Sequence, residues 1–209
     1  MNSLLRFSNI YLQYQNGTLL TEVIRGIDFT IHQNEKLAIV GKSGSGKQSL
    51  LMLMAGLEKP TSGQITYLDQ DITSYNEDQL TEYRKKNIGI VFQSFYLIPN
   101  YTALENVAIS LEINFQKDAL SQAKEMLIDL GLKDRVNHFP SQLSGGEQQR
   151  VAIARAMIKK PELILADEPT GNLDDENTEV ITELIFNIAS KYQKSLCLVT
   201  HDVDLAKRC

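Results

Sequence analysis

Tryptophan is absent from this sequence of 209 residues, and cysteine occurs only twice. Cys197 lies in an apolar run and Cys209 is the last residue, so their spacing fits neither a metal site nor a redox pair. A disulfide framework is therefore excluded, and a reducing compartment is expected. Both cysteines are predicted to be chemically inert.

Long apolar runs are also missing. The longest, Leu50–Leu57, is far shorter than the ~20 residues of a membrane-spanning helix, and the N-terminus has no basic-then-apolar signal pattern. Positive charge is scarce, because 21 Lys and Arg face 26 Asp and Glu and the formal net charge is −5. These absences argue against membrane insertion and against a nucleic-acid partner. We expect a soluble protein, or one held at a membrane by a partner.

Hydrophobic residues make up 43% of the chain, enough for a normal core in one domain over residues 1–209. Residues 3–31 alternate apolar and polar side chains around Asn16-Gly17, which predicts antiparallel strands joined by a turn. Later apolar runs are typical of parallel strands buried on both faces: Lys36–Val40, Ile88–Phe92, Leu163–Ala166 and Leu196–Val199. The sequence thus predicts an α/β fold.

A segment of different character covers roughly residues 97–150. Its apolar residues recur at helical spacing before a glycine stop: Leu120, Ala123, Met126, Leu127 and Leu130, then Gly131. We interpret the segment as an inserted helical subdomain.

The clearest motif is a glycine-rich loop over residues 41–47, between an apolar strand and a helical run over Ser49–Leu57. This order is the context of a phosphate loop, whose N–H groups cradle phosphates while Lys47 reaches the β/γ oxygens. A purely structural turn is the alternative. The predicted binding residues are Gly41, Ser43, Gly44, Ser45, Gly46, Lys47, Gln48 and Ser49.

Polar residues follow three other predicted strands. Asp167 is a candidate Mg²⁺ ligand and Glu168 a candidate to orient or deprotonate water, although adjacent acids are often only a helix cap. Gln93 could ligate Mg²⁺ and sense the γ-phosphate. His201 could contact that phosphate and the attacking water, or simply be a strand-end hydrogen bonder. Separately, Ser144-Gly145-Gly146 opens a helix, where free N–H groups and the helix dipole predict a second anion site.

With these motifs in this order, the chain resembles the nucleotide-binding subunit of an ATP-binding-cassette (ABC) transporter over essentially its whole length. The resemblance implies a P-loop NTPase core with a mostly parallel sheet, an N-terminal antiparallel β subdomain and the helical subdomain. It also implies ATP and Mg²⁺ as ligands and a head-to-tail homodimer, in which each ATP lies between one phosphate loop and Ser144, Gly145 and Gly146 of the other copy. Tyr14 would stack on adenine, unless it is a core or edge aromatic, and Asp174 would lie at the subunit seam.

A narrower resemblance is to the lipoprotein-release and macrolide-export branch. The segments that carry it are Phe92–Pro99, Thr102–Val107 and Ala166–Asp174. It implies a membrane-subunit partner, a peripheral position on the cytoplasmic face of the inner membrane, and a docking groove over residues 94–106. Phe95 and Tyr96 could belong to that groove or to the core. Family relatives in DNA repair or translation carry coiled-coil insertions or two cassettes, and this chain has neither.

Three departures from the family pattern are present. Gln48 stands where Ser or Thr normally ligates Mg²⁺, and Ser49 comes one place too late. We therefore expect weak Mg²⁺-dependent turnover in a transport ATPase or, alternatively, an ATP-gated clamp that hydrolyses little. Glu147 replaces a common Gln, a variation also met in this branch. The chain stops eight residues after His201, so a shortened C-terminal end is expected.

Overall fold

The computed structural model describes residues 2–17 and 19–209 and confirms the predicted α/β class. The strands are β1 (Ser3–Asn16), β2 (Leu19–His32), β3 (Lys36–Val40), β4 (Ser62–Tyr67), β5 (Gln70–Asp71), β6 (Ile88–Phe92), β7 (Leu163–Asp167) and β8 (Ser195–Thr200). The helices are α1 (Lys47–Met54), α2 (Glu77–Asn87), α3 (Ala103–Glu112), α4 (Ala119–Asp129), α5 (Gly145–Met157), α6 (Asp175–Lys191) and α7 (Val203–Ala206). Among the described helices, none combines the length and apolar character that crossing a bilayer demands.

The N-terminal sheet is antiparallel, with strand order β2-β1-β4-β5. Gly17, at the predicted turn, has a φ of +62°, while Thr18 lies outside the described residues. At Gly63 in β4, a Cβ atom would lie only 2.3 Å from the carbonyl oxygen of Asn9. Only glycine allows β1 and β4 to approach this closely.

The second sheet is parallel, with strand order β3-β8-β7-β6. Every residue of β8 is buried, as the continuous apolar pattern predicts for a strand covered on both faces. The register pairs Phe92 with Asp167 and Asp167 with Val199, so the carboxyl ends of the strands meet at one edge. Ligands of open parallel sheets bind at such an edge.

The helices α3, α4 and α5 pack against each other and share one core cluster. In α4 the buried residues are Ala119, Ala123 and Leu127, whereas Leu120 is 50% exposed. Leu120 therefore has the predicted helical spacing but lies on the exposed side of α4. The helix begins at Ala119, which takes the core position one residue earlier.

One helix boundary differs from the prediction. Helix α1 runs from Lys47 to Met54 rather than over Ser49–Leu57, because Gly46 caps its start and Gly56, at φ +64°, follows its end. Helix α5 continues beyond residue 150 and packs on β6, where a Cβ on Gly89 would lie 2.6 Å from the carbonyl oxygen of Ala156. The helix that begins at Ser144 is therefore in direct contact with the parallel sheet.

Candidate functional site

A cavity of about 760 Å³ lies at the carboxyl edge of the parallel sheet. Its lining brings together residues predicted separately from four motifs: the phosphate loop, Gln93, the pair Asp167 and Glu168, and His201. These residues follow β3, β6, β7 and β8, so the register of the sheet explains why they converge.

The phosphate loop presents free backbone donors to this cavity. Gly44 and Gly46 have φ values of +77° and +88°, and Gly46 caps α1 in the left-handed conformation. Within residues 2–17 and 19–209, the N–H groups of Ser43, Gly44, Gly46, Lys47 and Gln48 have no protein acceptor. Together with the positive end of α1, they form a cradle suited to phosphate oxygens.

Lys47 is folded back over its own loop. Its Nζ donates to the carbonyl oxygens of Gly41 at 2.7 Å and Lys42 at 3.0 Å. At Gly41 a Cβ would lie 2.6 Å from Oγ of Ser45, so the loop closes tightly around the lysine stem. The ammonium group is thus held at the cradle, where it can exchange carbonyl partners for phosphate oxygens.

Gln48 lines the cavity with an exposed side chain that makes no protein hydrogen bond in the described part of the chain. Ser49 also lines the cavity but interacts with the hydroxyl of Tyr14. Burial raises the pKa of that hydroxyl, a hydrogen bond with Ser49 lowers it, and the nearby charge of Glu58 raises it.

Asp167 ends β7 inside the cavity. Burial raises the pKa of its carboxyl group, the charge of Glu168 raises it further, and Lys47 lowers it. No cluster of three His, Cys, Asp or Glu ligands occurs among the described residues. One carboxylate beside Gln93 and Gln48 nevertheless fits Mg²⁺, which binds proteins through one or two carboxylates together with substrate phosphates and water.

Glu168 is not a helix cap. Its φ is +43°, its N–H donates to the carbonyl oxygen of Val199 at 2.9 Å, and α6 is capped instead by Asp174. Its Oε2 accepts a hydrogen bond from Thr200 at 3.3 Å, and its Oε1 lies 2.9 Å from Nδ1 of His201. The alternative that Glu168 caps a helix is therefore wrong. Its carboxylate is instead oriented by Thr200, the last residue of β8, and by His201, which follows it.

Gln93 is positioned by the loop that follows Glu168. Its Nε2 donates to Oδ1 of Asn172 at 3.1 Å, and Nδ2 of Asn172 donates back to the carbonyl oxygen of Gln93 at 3.0 Å. A Cβ on Gly171 would lie 2.6 Å from the same Nε2. The two loops therefore hold each other in place beside the acid pair.

The Ser144 segment is a helix start that does not line this cavity. Ser144 is exposed. Its side chain accepts a hydrogen bond from the N–H of Glu147 at 3.2 Å, and in return Oε2 of Glu147 accepts one from the N–H of Ser144 at 2.8 Å. Glu147 also pairs with Arg135 at 2.9 Å. At Gly146 an added Cβ would overlap Oδ1 of Asn177, and Gly145 packs beside Leu173. Ser144 therefore lies at the surface outside the cavity, whereas Gly146 is buried.

Tyr14 and Asp174 also lie outside the cavity lining. Tyr14 is 43% exposed on β1, and its hydroxyl donates to Oε2 of Glu58 at 3.3 Å, so it is not a core residue. The side chain of Asp174 accepts from the N–H of Asn177 at 2.8 Å, which caps α6 and lowers the pKa of the aspartate. Their expected contacts with adenine and with a second subunit stay predictions.

Some site residues were missed from the sequence. Thr200 could have been suspected because it precedes His201 at a strand end, and Asn172 because it lies in a recognised loop. Gln149 and Arg155 gave no such signal, since a polar residue within a helix normally faces solvent. Gln149 is fully buried and its Nε2 donates to the carbonyl oxygen of Pro169 at 2.7 Å, which joins α5 to the loop after the acid pair.

Comparisons with known proteins agree with this geometry. The family described as ABC transporter matches residues 24–171. The lipoprotein-releasing system ATP-binding protein LolD of Idiomarina loihiensis is 45% identical over 209 residues, which cover 99% of this chain and 92% of that protein. LolD of Hydrogenovibrio crunogenus is 46% identical over 207 residues, covering 98% and 90%.

Two solved structures of the cassette MJ0796 are similar over nearly the whole chain. One is described as a dimeric post-hydrolysis state bound to ADP and Pi, and the other as a dimeric bacterial ABC transporter cassette. Each has a TM-score of 0.89 and 37% identity, and the match covers 98% of this chain and 90% of the solved one. The antiparallel sheet, the parallel sheet and the helical layer are thus shared with these cassettes.

Proposed function

The chain belongs to the ABC transporter family as an ATP-binding subunit with ATPase activity, and from this premise we propose that two copies close head to tail on ATP to drive a membrane partner. The observation that carries the proposal is the single cavity in which the phosphate loop, Gln93, the acid pair and His201 converge. ATP is the substrate that this cavity fits, because the loop offers phosphate donors and the sheet edge offers the groups for hydrolysis.

Within the cavity each residue has a proposed task. The free N–H groups of the phosphate loop and the ammonium group of Lys47 bind the phosphates. Glu168 orients and polarises the attacking water, and His201 contacts the γ-phosphate. Asp167, with Gln93 and Gln48, would hold Mg²⁺, which supplies positive charge at the β- and γ-phosphates.

The outward position of Ser144 supports a site completed by a second copy. Ser144, Gly145 and Gly146 form an anion-binding helix start, yet none of them lines the cavity of its own chain. A head-to-tail dimer places this helix start over the phosphates of the partner, with Asp174 at the seam and Tyr14 against the adenine. The MJ0796 structures are described as dimers, which agrees with this arrangement.

The membrane partner is proposed from the LolD relatives and from an exposed apolar surface. Tyr96, Ile98 and Tyr101 are 64%, 38% and 37% exposed within the segment 94–106. We propose that this segment receives a helix of a membrane subunit of lipoprotein-releasing type. The chain then lies on the cytoplasmic face of the inner membrane through that subunit and has no nucleic-acid partner.

Dimer closure is tested by light scattering with the variant Glu168→Gln, which should retain ATP without hydrolysing it. We expect the mass to double with ATP and to return to that of a monomer with ADP. A monomer at every ATP concentration, in a protein shown to bind ATP, would contradict the head-to-tail proposal. Ser144→Asp serves as the control, since aspartate can still cap the helix but its negative charge repels a phosphate group.

The membrane partner is tested by purification from solubilised membranes. We expect a membrane protein to accompany the wild type and to be lost with Ile98→Asp, but not with Val180→Asp, a change at another exposed apolar residue, on α6. Recovery of DNA or ribosomes in place of a membrane protein would contradict the transporter function.

A second function, the ATP-gated clamp, is favoured by one observation. Gln48 lacks the hydroxyl that ligates Mg²⁺ in this motif. Turnover at varied Mg²⁺, measured beside nucleotide binding on one preparation, separates the two functions. Clear Mg²⁺-dependent hydrolysis supports the motor, whereas tight binding without hydrolysis supports the clamp. In the second case Gln48→Ser should raise turnover, and equal rates would show that position 48 is not the cause.

A further inference from the structure

The loop after β6 has an unusual backbone. Phe95 and Tyr96 are consecutive non-glycine residues with φ values of +58° and +47°. L-residues disfavour this left-handed region, and they adopt it only where the surrounding structure holds them there. Two such residues in succession therefore require a specific restraint.

Arg155, in the last turn of α5, supplies that restraint. Its Nη1 donates to the carbonyl oxygen of Tyr96 at 2.6 Å and its Nη2 to that of Phe95 at 2.7 Å. Within residues 2–17 and 19–209 the guanidinium has no carboxylate partner. Burial lowers the pKa of Arg155, so the two carbonyl oxygens replace much of its water. The planar fork of arginine suits two adjacent carbonyl groups, which a lysine could not bridge in the same way.

The restrained loop contacts both functional regions. Gln93, Ser94 and Tyr96 line the ATP cavity, and the ring of Tyr96 packs edge-on against Phe92 at 5.2 Å between centroids. Phe95 faces the other way, with its Cζ 4.0 Å from the position of a Cβ on Gly145. One short loop thus connects Gln93, which is proposed to sense ATP, with the helix start at Ser144, which is proposed to bind the ATP of the second copy.

We propose that Arg155 is a positioning residue that locks residues 93–96 in this strained shape and thereby couples Gln93 to the Ser144 segment of the same chain. The proposal rests on the proposed roles of Gln93 and Ser144. Without Arg155 the loop relaxes to ordinary backbone angles, Gln93 leaves the acid pair, and Phe95 withdraws from Gly145. ATP still binds, because the phosphate loop is untouched.

The loop can be observed directly, because the chain has no tryptophan and Tyr96→Trp introduces a single tryptophan, which can be excited selectively over the tyrosines. In the Tyr96→Trp protein we expect Arg155→Ala to shift the tryptophan emission and to increase its quenching by acrylamide. Methylguanidinium should reverse the shift, whereas methylammonium should not. Arg84→Ala is the matched control, since Arg84 also donates to a backbone carbonyl, that of Gly56, away from the cavity. Unchanged emission in Arg155→Ala, or an equal shift in Arg84→Ala, would overturn the proposal.

Turnover supplies the second readout. We expect Arg155→Ala to lower kcat by about 10- to 100-fold with little change in KM, because small misplacement of catalytic groups has effects of this size. Methylguanidinium should restore part of kcat. If Arg155→Ala does not fold, Arg155→Lys keeps the charge without the fork and should show the same kcat loss. A fall in affinity alone would overturn the proposal, whereas a wild type that binds no ATP would overturn the function on which it rests.

Discussion

His201 and Glu168 contact each other directly, with Nδ1 of the imidazole 2.9 Å from Oε1 of the carboxylate. An ionised carboxylate only accepts hydrogen bonds, so Nδ1 carries the proton in this pair. The Nε2 atom of a neutral ring is then an acceptor and cannot donate to a phosphate oxygen. We therefore infer that the imidazole breaks this contact with Glu168 when it donates to the γ-phosphate.

Glu168→Gln should abolish turnover while ATP binding is retained. The amide keeps an oxygen that accepts from His201 but cannot serve as a base, so kcat should fall by about 10²- to 10⁴-fold. Steady-state kinetics and equilibrium binding on the same preparation measure this. Glu162→Gln, just before the same strand β7, is the control and should leave kcat unchanged. Substantial activity in Glu168→Gln would remove Glu168 from its proposed role.

Two substitutions at Ser144 should separate stability from function. Ser144→Ala removes the cap of α5 and should lower the free energy of unfolding by about 1 kcal/mol. Ser144→Asp retains a cap and should be nearly as stable as the wild type, but its charge opposes a phosphate group. Urea unfolding and ATP-dependent dimerisation are the measurements. Normal dimerisation of Ser144→Asp would show that this helix start does not face ATP.

Asp167→Asn should make the nucleotide-free protein more stable at neutral pH. Burial raises the pKa of Asp167 in the fold, so the ionised carboxylate destabilises the folded state above its ordinary pKa. This penalty disappears as the pH falls below about 4. Thermal unfolding without Mg²⁺ should show a gain at pH 7 that vanishes in acid. Asp134→Asn, at an exposed position, is the comparison, and an equal gain there would refute the explanation.

Glu147→Gln should have the opposite pH dependence. The N–H of Ser144 lowers the pKa of Glu147, burial opposes this, and Arg135 lowers it further. A lowered pKa contributes stability above the ordinary value of about 4.3 and loses it as the pH falls through the folded value. Glu147→Gln should thus be less stable than the wild type at pH 7, with a smaller difference in acid. A difference that does not vary with pH would indicate lost packing instead.

Local patterns predicted the secondary structure closely where one physical requirement dominates. The strand Ile88–Phe92 has the predicted bounds and is mostly buried, as continuous apolar side chains require. The strand Lys36–Val40 also has the predicted bounds, although it lies at the edge of the sheet and its residues are only partly buried or exposed. In α4 the helical spacing alone did not tell which apolar residues face the core, since Ala119 is buried and Leu120 is exposed. The sequence also left the role of adjacent acids open, and the capping of α6 by Asp174 excludes that role for Glu168.

From residue type and local spacing, the sequence by itself predicted a phosphate-binding loop and an acid pair at a strand end, whereas the roles predicted for Gln93 and His201 came from the family resemblance. Only the tertiary structure decided how these groups are held. Three contacts join residues that are far apart in the chain. His201 contacts Glu168, Gln93 is hydrogen-bonded to Asn172, and Arg155 donates to the carbonyl oxygens of Phe95 and Tyr96. Such contacts depend on the sheet register and on helix packing, which bring distant segments within hydrogen-bond distance and which no local pattern encodes.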